Sequence, residues 1–181
     1  MNEKETKFIE FIHSKKFLGW FFALMTVLFA VGWVVLVMNE NRVSTLNPDD
    51  VRISNPADYA YCLDNVSVEK KGFITVSGWI IKPGERVNKV AIKVVLKDSE
   101  DGKFYVAPTD VQVRPDVTAH FNDGNNYDYC GFSMRIPYWE KLDTEADYEL
   151  FAQYDLNDNA RAIVPFNALL KQKAAELKNA K

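Results

Sequence analysis

The sequence predicts an all-β fold, an antiparallel β-sandwich of about seven or eight strands, behind an N-terminal transmembrane helix and before a short C-terminal helix. Three observations predict this arrangement. A long apolar run lies near the N-terminus. The chain behind it consists of short alternating apolar and polar segments, separated by Pro, Gly and Asn turn signals. Helical periodicity returns only near the end of the chain.

The membrane span is predicted at residues 17–38, which contain no charged residue and no proline. At ~1.5 Å of rise per residue, this run can cross a hydrocarbon core of ~30 Å. It ends at Asn39-Glu40-Asn41 without a small-x-small cleavage pattern. The segment therefore favours a retained signal-anchor over a cleaved signal peptide.

The flanking charges predict the orientation of this anchor. Four lysines lie in the lead-in, residues 1–16, whereas only Arg42 and Arg52 closely follow the span, diluted by acidic residues. Because Lys and Arg are retained on the cytoplasmic side, the lead-in is predicted to be cytoplasmic. The sequence thus predicts a single-pass inner (cytoplasmic) membrane protein with a periplasmic or extracellular domain.

Residues 39–58 contain two Asn-Pro pairs and little periodicity, and we interpret them as a linker. Residues 59–166 are interpreted as one sandwich domain, and the short turn between its first two strands predicts a hairpin. Alternation in the third strand predicts one solvent-exposed face. The predicted strands are 61–69, 73–82, 87–97, 103–107, 111–114, 129–136, 148–154 and 161–164.

The C-terminal helix is predicted at residues 167–181. Asn167 is a suitable N-cap, and Leu170, Ala174 and Leu177 fall on one helical face. Three placements remain open for this helix: against the sandwich, against a partner, or frayed.

Composition limits the classes of partner. The chain has a formal net charge of −3, and the part behind the span is also mildly acidic. A nucleic-acid partner is therefore not predicted.

Two cysteines lie behind the span, where an oxidising compartment would allow them to pair. Cys62 shares strand parity with Val66 and Val68, and Cys130 with Phe132, Met134 and Ile136, so both thiols are expected to face the core. We predict a Cys62–Cys130 disulfide, with two buried free thiols as the alternative.

Four short segments occur in a suggestive order: 78–79 (Gly-Trp), 93–98 (Lys-Val-Val-Leu-Lys-Asp), 114–117 (Arg-Pro-Asp-Val) and 131–132 (Gly-Phe). Over residues 60–155 the chain resembles a β-sandwich module of bacterial cell-surface polysaccharide and glycosyltransferase-associated proteins. The resemblance implies a sandwich fold and an envelope setting. No transferase domain accompanies the module in this sequence.

The candidate binding residues combine these motifs with aromatic side chains near predicted loop ends. Arg114 and Asp116 favour a structural turn, with ligand contact as the alternative. Trp79 favours core packing. Several tyrosines, together with Trp139, could form an aromatic platform for a sugar. The full candidate set is Trp79, Tyr105, Arg114, Asp116, Tyr127, Tyr129 and Trp139.

Catalytic signatures do not stand out. His120 is the only histidine behind the span, which disfavours a His-rich metal site or a Ser-His triad. Residues 155–159 resemble half of a calcium loop but lack the required Gly and Glu, so we interpret them as a hairpin turn. The sequence predicts no enzyme, no metal and no cofactor.

These observations favour an accessory membrane protein whose sandwich binds a protein partner in an envelope assembly, one concerned with surface polysaccharide. The alternatives are a stand-alone glycan-binding module and an immunity or exclusion factor that blocks an incoming protein.

Overall fold

The computed structural model describes residues 15–40, 42–47, 49, 51–69, 72–137, 142, 146–157 and 161–180. The chain forms two compact units, Met1–Asn41 and Arg42–Lys181. The predicted lead-in lies outside the described residues as far as residue 14.

The first unit contains helix α1, Lys15–Glu40. Its segment Phe17–Leu36 is long and apolar enough to cross a membrane, and none of its most apolar stretch is buried. Large side chains such as Trp20, Phe29 and Trp33 are exposed along it. The described helix therefore lacks the polar face that a water-soluble helix needs.

The second unit, which we call the sandwich unit, confirms the predicted all-β fold. Its described residues form nine strands in two antiparallel sheets. All eight predicted strands are present, with ends shifted by a few residues. The strands are β1 (Ser44–Leu46), β2 (Ala60–Val68), β3 (Phe73–Ile81), β4 (Val90–Asp98), β5 (Phe104–Val106), β6 (Thr109–Gln112), β7 (Gly131–Pro137), β8 (Tyr148–Leu156) and β9 (Ala162–Leu169).

The five-stranded sheet has the order β1-β5-β4-β8-β9, and the four-stranded sheet has the order β2-β3-β7-β6. The predicted hairpins β2–β3 and β8–β9 are both observed. The main core lies between the sheets and follows the two-residue period of the strands. On β3, for example, Ile74, Val76 and Ile80 are buried in it.

The predicted linker is wrong from Arg42 onward, because its apolar residues are part of the folded unit. Val43 is buried in the main core, and β1 pairs with β5. Leu46 and Val51 pack against a second apolar cluster, which contains Val95 and Phe151. The face of β4 that was expected to be exposed is therefore partly covered at Val95.

A short helix, α2 (Pro115–Phe121), replaces the predicted turn and loop after β6. Pro115 occupies the first helical turn, where its fixed φ suits a helix and its missing N–H costs nothing. Asn122 ends the helix with φ of 44°, a left-handed conformation that asparagine tolerates. Buried Val117 anchors the helix to the unit.

The C-terminal helix α3 (Leu170–Asn179) begins later than predicted. Asn167 is not its cap, because β9 continues to Leu169 and Asn167 has φ of 49°. The predicted apolar face is confirmed: Leu170 is buried, and Ala174 and Leu177 pack against the main core. Of the three placements left open, the helix takes the one against the sandwich.

Candidate functional site

Three of the motif segments converge at one end of the four-stranded sheet. Trp79 pairs with Cys62 on one side and with Gly131 on the other, and Gly131 also pairs with Gln112. These four positions form one row across the sheet. We call residues 62–64, 78–79, 112–117 and 130–132 the motif end.

A β-bulge shapes the β2 side of the motif end. The β2–β3 register shifts between Leu63 and Asn65, so Asp64 is an extra residue without a direct partner. At the bulge the backbone of β2 comes very close to β3. Only Gly78 allows this, because a Cβ at that position would lie 2.1 Å from the carbonyl oxygen of Cys62. The Gly of the Gly-Trp motif is therefore required by backbone packing.

The bulge also explains why the predicted disulfide is wrong. It reverses the strand parity before Asp64, so that Leu63 and Val66 face the core while Cys62 is exposed. Cys130 is buried, but in the small apolar cluster with Ile81 and Val117 and not in the main core as expected. Both thiols are free. Burial raises the pKa of Cys130 to about 12. Partial desolvation and nearby Asp64 also raise the pKa of the Cys62 thiol.

Arg114 ties the bulge to helix α2. Its Nε lies 2.9 Å from Asp116 Oδ1, its Nη2 lies 2.8 Å from Asp116 Oδ2, and its Nη1 contacts Asp64. The hydrogen bonds from Arg114 hold the pKa of Asp116 below its usual range. The Arg114 stem crosses Gly131, where a Cβ would lie 2.6 Å from Arg114 Cγ. The charge and the hydrogen-bond donors of the Arg114 guanidinium are therefore already paired within the protein.

Trp79 packs on the outer face of the four-stranded sheet, away from the main core. Its ring centroid lies 5.9 Å from that of Phe121, with the rings edge to face. It borders a small apolar cluster that includes Ile81, Val117 and Cys130. Helix α2 thus supplies the apolar partners for the tryptophan.

Tyr127 is completely buried and joins two loops. Its hydroxyl donates to Asp123 Oδ2 at 2.6 Å and accepts from the Gly84 N–H at 2.8 Å. Burial and the bond to Asp123 raise the pKa of Tyr127, and the same bond lowers the pKa of Asp123. This side chain organises the loops and is not accessible to a ligand.

The other candidate aromatic residues are scattered. Tyr105 is partly buried, with its ring centroid 6.2 Å from that of Tyr148. Tyr129 is exposed, whereas Trp139 and the neighbouring Tyr138 lie outside the described residues. Among the candidate rings that the structure describes, only Tyr129 is exposed, so these rings do not form the predicted flat platform.

The outer edge of the four-stranded sheet at β6 was not predicted as a site from the sequence, although Tyr129 beside it was. Val111, Val113 and Tyr129 are 39%, 61% and 58% exposed. The Arg114 N–H donates to the carbonyl of Asp128 at 2.6 Å, which places the turn before Tyr129 beside the end of β6. We call residues 109–114, together with Tyr129, the β6 edge.

A groove of about 310 Å³ lies at the other edge of this sheet, between β2, β9 and α3. The rings of Tyr61 and Phe166 line it, with centroids 5.0 Å apart. On α3, Gln172 and Lys173 each lie 3.1 Å from a carboxylate oxygen of Glu176. The groove thus combines aromatic surface with polar groups.

The segment that resembles half a calcium loop has a structural role at Asn157. Its Oδ1 accepts from the N–H groups of Asn88 and Lys89 at 2.8 and 3.1 Å, and its Nδ2 donates to the Arg86 carbonyl at 2.7 Å. Within the described part of the chain, no group of three or more His, Cys, Asp or Glu side chains could hold a metal ion.

Comparisons with protein-family models and with curated protein sequences found no match. The described geometry therefore provides the functional argument. The motif end is a structural junction, whereas the β6 edge and the groove offer accessible binding surface.

Proposed function

We propose that this protein is a single-pass membrane-anchored accessory protein whose sandwich unit lies outside the cytoplasm and binds a partner in an envelope assembly. The observation that carries the proposal is the exposed apolar edge at Val111 and Val113, beside a core that the described residues of the sandwich already bury. Exposed apolar side chains on an unpaired edge strand favour association with another chain.

The membrane part of the proposal rests on α1 and on its flanking charges. The helix is long and apolar enough to span, and the lysine-rich side precedes it. Positive charge before the span favours a cytoplasmic N-terminus. The setting in surface-polysaccharide assembly rests on the motif resemblance.

Cys62 provides a direct test of this orientation. A membrane-impermeant maleimide added to intact spheroplasts should label the wild-type chain and fail to label Cys62→Ser. Cys130 is an internal control, since its buried thiol should react only after denaturation. Labelling of Cys62 only after lysis would place the sandwich unit in the cytoplasm and contradict the proposal.

Partner binding is tested by purifying the full chain from its own cells in a mild detergent. We expect a stable protein neighbour in a fixed ratio to the chain. Recovery of the chain alone, after gentle solubilisation at low and moderate salt, would contradict the accessory role.

Glycan binding is a second candidate function, now favoured by the groove beside α3. The half-buried ring of Tyr61 lies there beside amide and carboxylate groups that are suited to sugar hydroxyls, with buried Phe166 behind it. Calorimetric titration with host surface oligosaccharides should give binding that Tyr61→Ala removes and Tyr129→Ala preserves. No heat of binding from any of these oligosaccharides would eliminate this candidate.

A further inference from the structure

The backbone of β6 has one paired side and one open side. Because the Arg114 N–H points toward Asp128, strand alternation directs the backbone groups of Gln112 and Asp110 toward β7 as well. The N–H and C=O groups of Val111 and Val113 consequently point away from β7. No strand in the described part of the chain pairs with β6 on that side.

The open edge is short. Before β6, the Ala107 N–H already donates to the Val94 carbonyl on β4, and after it Pro115, which has no N–H, begins α2. An added strand could therefore pair only along residues 109–114. The edge is therefore suited to a short extended segment.

The side chains of the edge differ on its two faces. Val111 pairs with core-facing Phe132, so Val111 and Val113 lie on the core side of the sheet. Asp110 pairs with Ser133 on the outer side, and Asp116 follows in α2. An added strand would thus meet an apolar row on one face, and on the other Asp110 together with the Asp116 carboxylate that Arg114 holds.

The local charge around β6 is negative, which favours a basic segment as the added strand. Residues 109–130 contain four aspartates against one arginine, and that arginine is already paired with Asp64 and Asp116. Positive side chains would complement this surface, whereas a second copy of the same edge would bring more negative charge.

We propose that the β6 edge binds an extended segment of a protein partner, with alternating apolar and basic residues, as an added antiparallel or parallel strand. Main-chain hydrogen bonds to Val111 and Val113 supply affinity, and the alternating side chains supply specificity. The inference rests on the proposed function, because it names the surface and the chemistry by which the sandwich unit would bind its partner.

The test measures binding of a fluorescent peptide to the full chain in an uncharged detergent. The peptide is seven residues long, with lysine and valine in alternation. Fluorescence anisotropy should show saturable binding. Two control peptides should bind at least about tenfold more weakly. One has the lysines grouped before the valines, and the other has glutamate in place of lysine.

Two variants locate the binding on β6. Val111→Pro removes an outward N–H at an edge position where proline can be accommodated, and should weaken peptide binding by about tenfold or more. Asp110→Lys should weaken it by a similar factor through charge reversal. Glu100→Lys makes the same charge change in the β4–β5 turn and should leave binding within about twofold of wild type.

Backbone exchange provides an independent readout if a variant folds poorly. In the wild-type chain, the peptide should slow amide hydrogen exchange at Val111 and Val113, with little change at Tyr61 on β2. No peptide binding, or binding that both variants leave unchanged, would overturn the inference. A β6-dependent homodimer in light scattering, lost in Val111→Pro, would also overturn it by making a second copy the occupant.

Co-purification with the two β6 variants distinguishes a failure of this inference from a failure of the proposed function. If the natural neighbour still co-purifies with Val111→Pro and Asp110→Lys at the wild-type ratio, the β6 inference is wrong and the accessory role remains. If no neighbour co-purifies with the wild-type chain, the accessory role itself fails.

Discussion

The two edges of the four-stranded sheet differ in whether another element packs over them. At the β2 edge, helix α3 packs along the strand, with Leu170 buried and Ala174 and Leu177 against the core. At the β6 edge, Val111 and Val113 remain exposed, and no described strand continues the sheet. Among the described residues, one edge of this sheet is thus covered by a helix and the other has no covering strand or helix.

This difference is the basis of our proposal that the open edge binds a partner. Unpaired strand edges invite association with other chains, and proteins commonly cover or charge them. Here the segment around Leu46 and Val51 covers even the outer apolar cluster of the five-stranded sheet. Because other apolar surfaces of this unit are covered, we propose the short exposed edge at β6 as the surface that binds a partner.

The largest expected contrast between the edges concerns stability. Leu170→Ala should lower the free energy of unfolding by about 2–4 kcal/mol, because it opens a cavity beneath α3. Val111→Ala should lower it by less than about 0.5 kcal/mol, since that side chain is partly exposed. Urea unfolding of the full chain in detergent, followed by tryptophan fluorescence, measures both. Equal losses would mean that the β6 edge is covered in solution.

Two glycines on the inner strands give a matched test of the backbone beside each edge. Gly78→Ala on β3 should cost about 3 kcal/mol, because the new Cβ would lie 2.1 Å from the Cys62 carbonyl oxygen on β2. Gly131→Ala on β7 should cost about 1–2 kcal/mol less, since its Cβ would lie 2.8 Å from the nearest backbone atom, the Gln112 carbonyl oxygen, and its other close neighbour is the flexible stem of Arg114. The same unfolding experiment measures the difference. A larger loss at Gly131 would show that the β6 side is the more rigid one.

A smaller effect is expected at Arg114, which links the two sides of the motif end. Arg114→Ala should destabilise the unit by about 1 kcal/mol, because its partners Asp64 and Asp116 are exposed carboxylates that water can solvate once the arginine is gone. Arg114→Met keeps most of the aliphatic stem over Gly131 and should recover part of the loss. If Met is no better than Ala, packing over Gly131 does not contribute.

The smallest contrast concerns pH and the loop beside the β6 edge. The pKa of Asp123 is lowered in the folded protein by the Tyr127 hydroxyl. The ionised Asp123 carboxylate therefore stabilises the folded state at pH values above the unfolded pKa of about 3.9. This stabilisation is lost as pH falls through the lower pKa of the folded state. Urea midpoints measured from about pH 6 down to pH 3 should fall more steeply for wild type than for Asp123→Asn. Parallel curves would contradict this role.

Strand content could be predicted from the sequence because alternation and turn residues are local signals. The eight strands from β2 to β9 follow from such patterns. β1 did not, since three residues between polar neighbours carry no period of their own, and only the pairing with β5 defines them. Helix α2 had a readable signal in Pro115 at its first turn, but its seven residues are too short for a helical period.

The candidate site was less predictable, because it depends on long-range register. One extra residue at Asp64 reverses the direction of Cys62, and no local pattern marks that bulge except the Gly78 that accommodates it. Tyr127 and Tyr129 are close in sequence, yet one is buried and the other exposed. The open side of β6 is likewise defined by the order of strands in the sheet.

The central claim is that the protein binds its partner at the β6 edge and not at the β2 edge. A photo-crosslinking amino acid placed at Val113 in intact cells, and separately at Gln172 on α3, tests it most directly. The account predicts one discrete crosslinked product from position 113, lost when Asp110→Lys is added, and none from position 172. A product from position 172 alone, or one from position 113 that persists with Asp110→Lys, would contradict it.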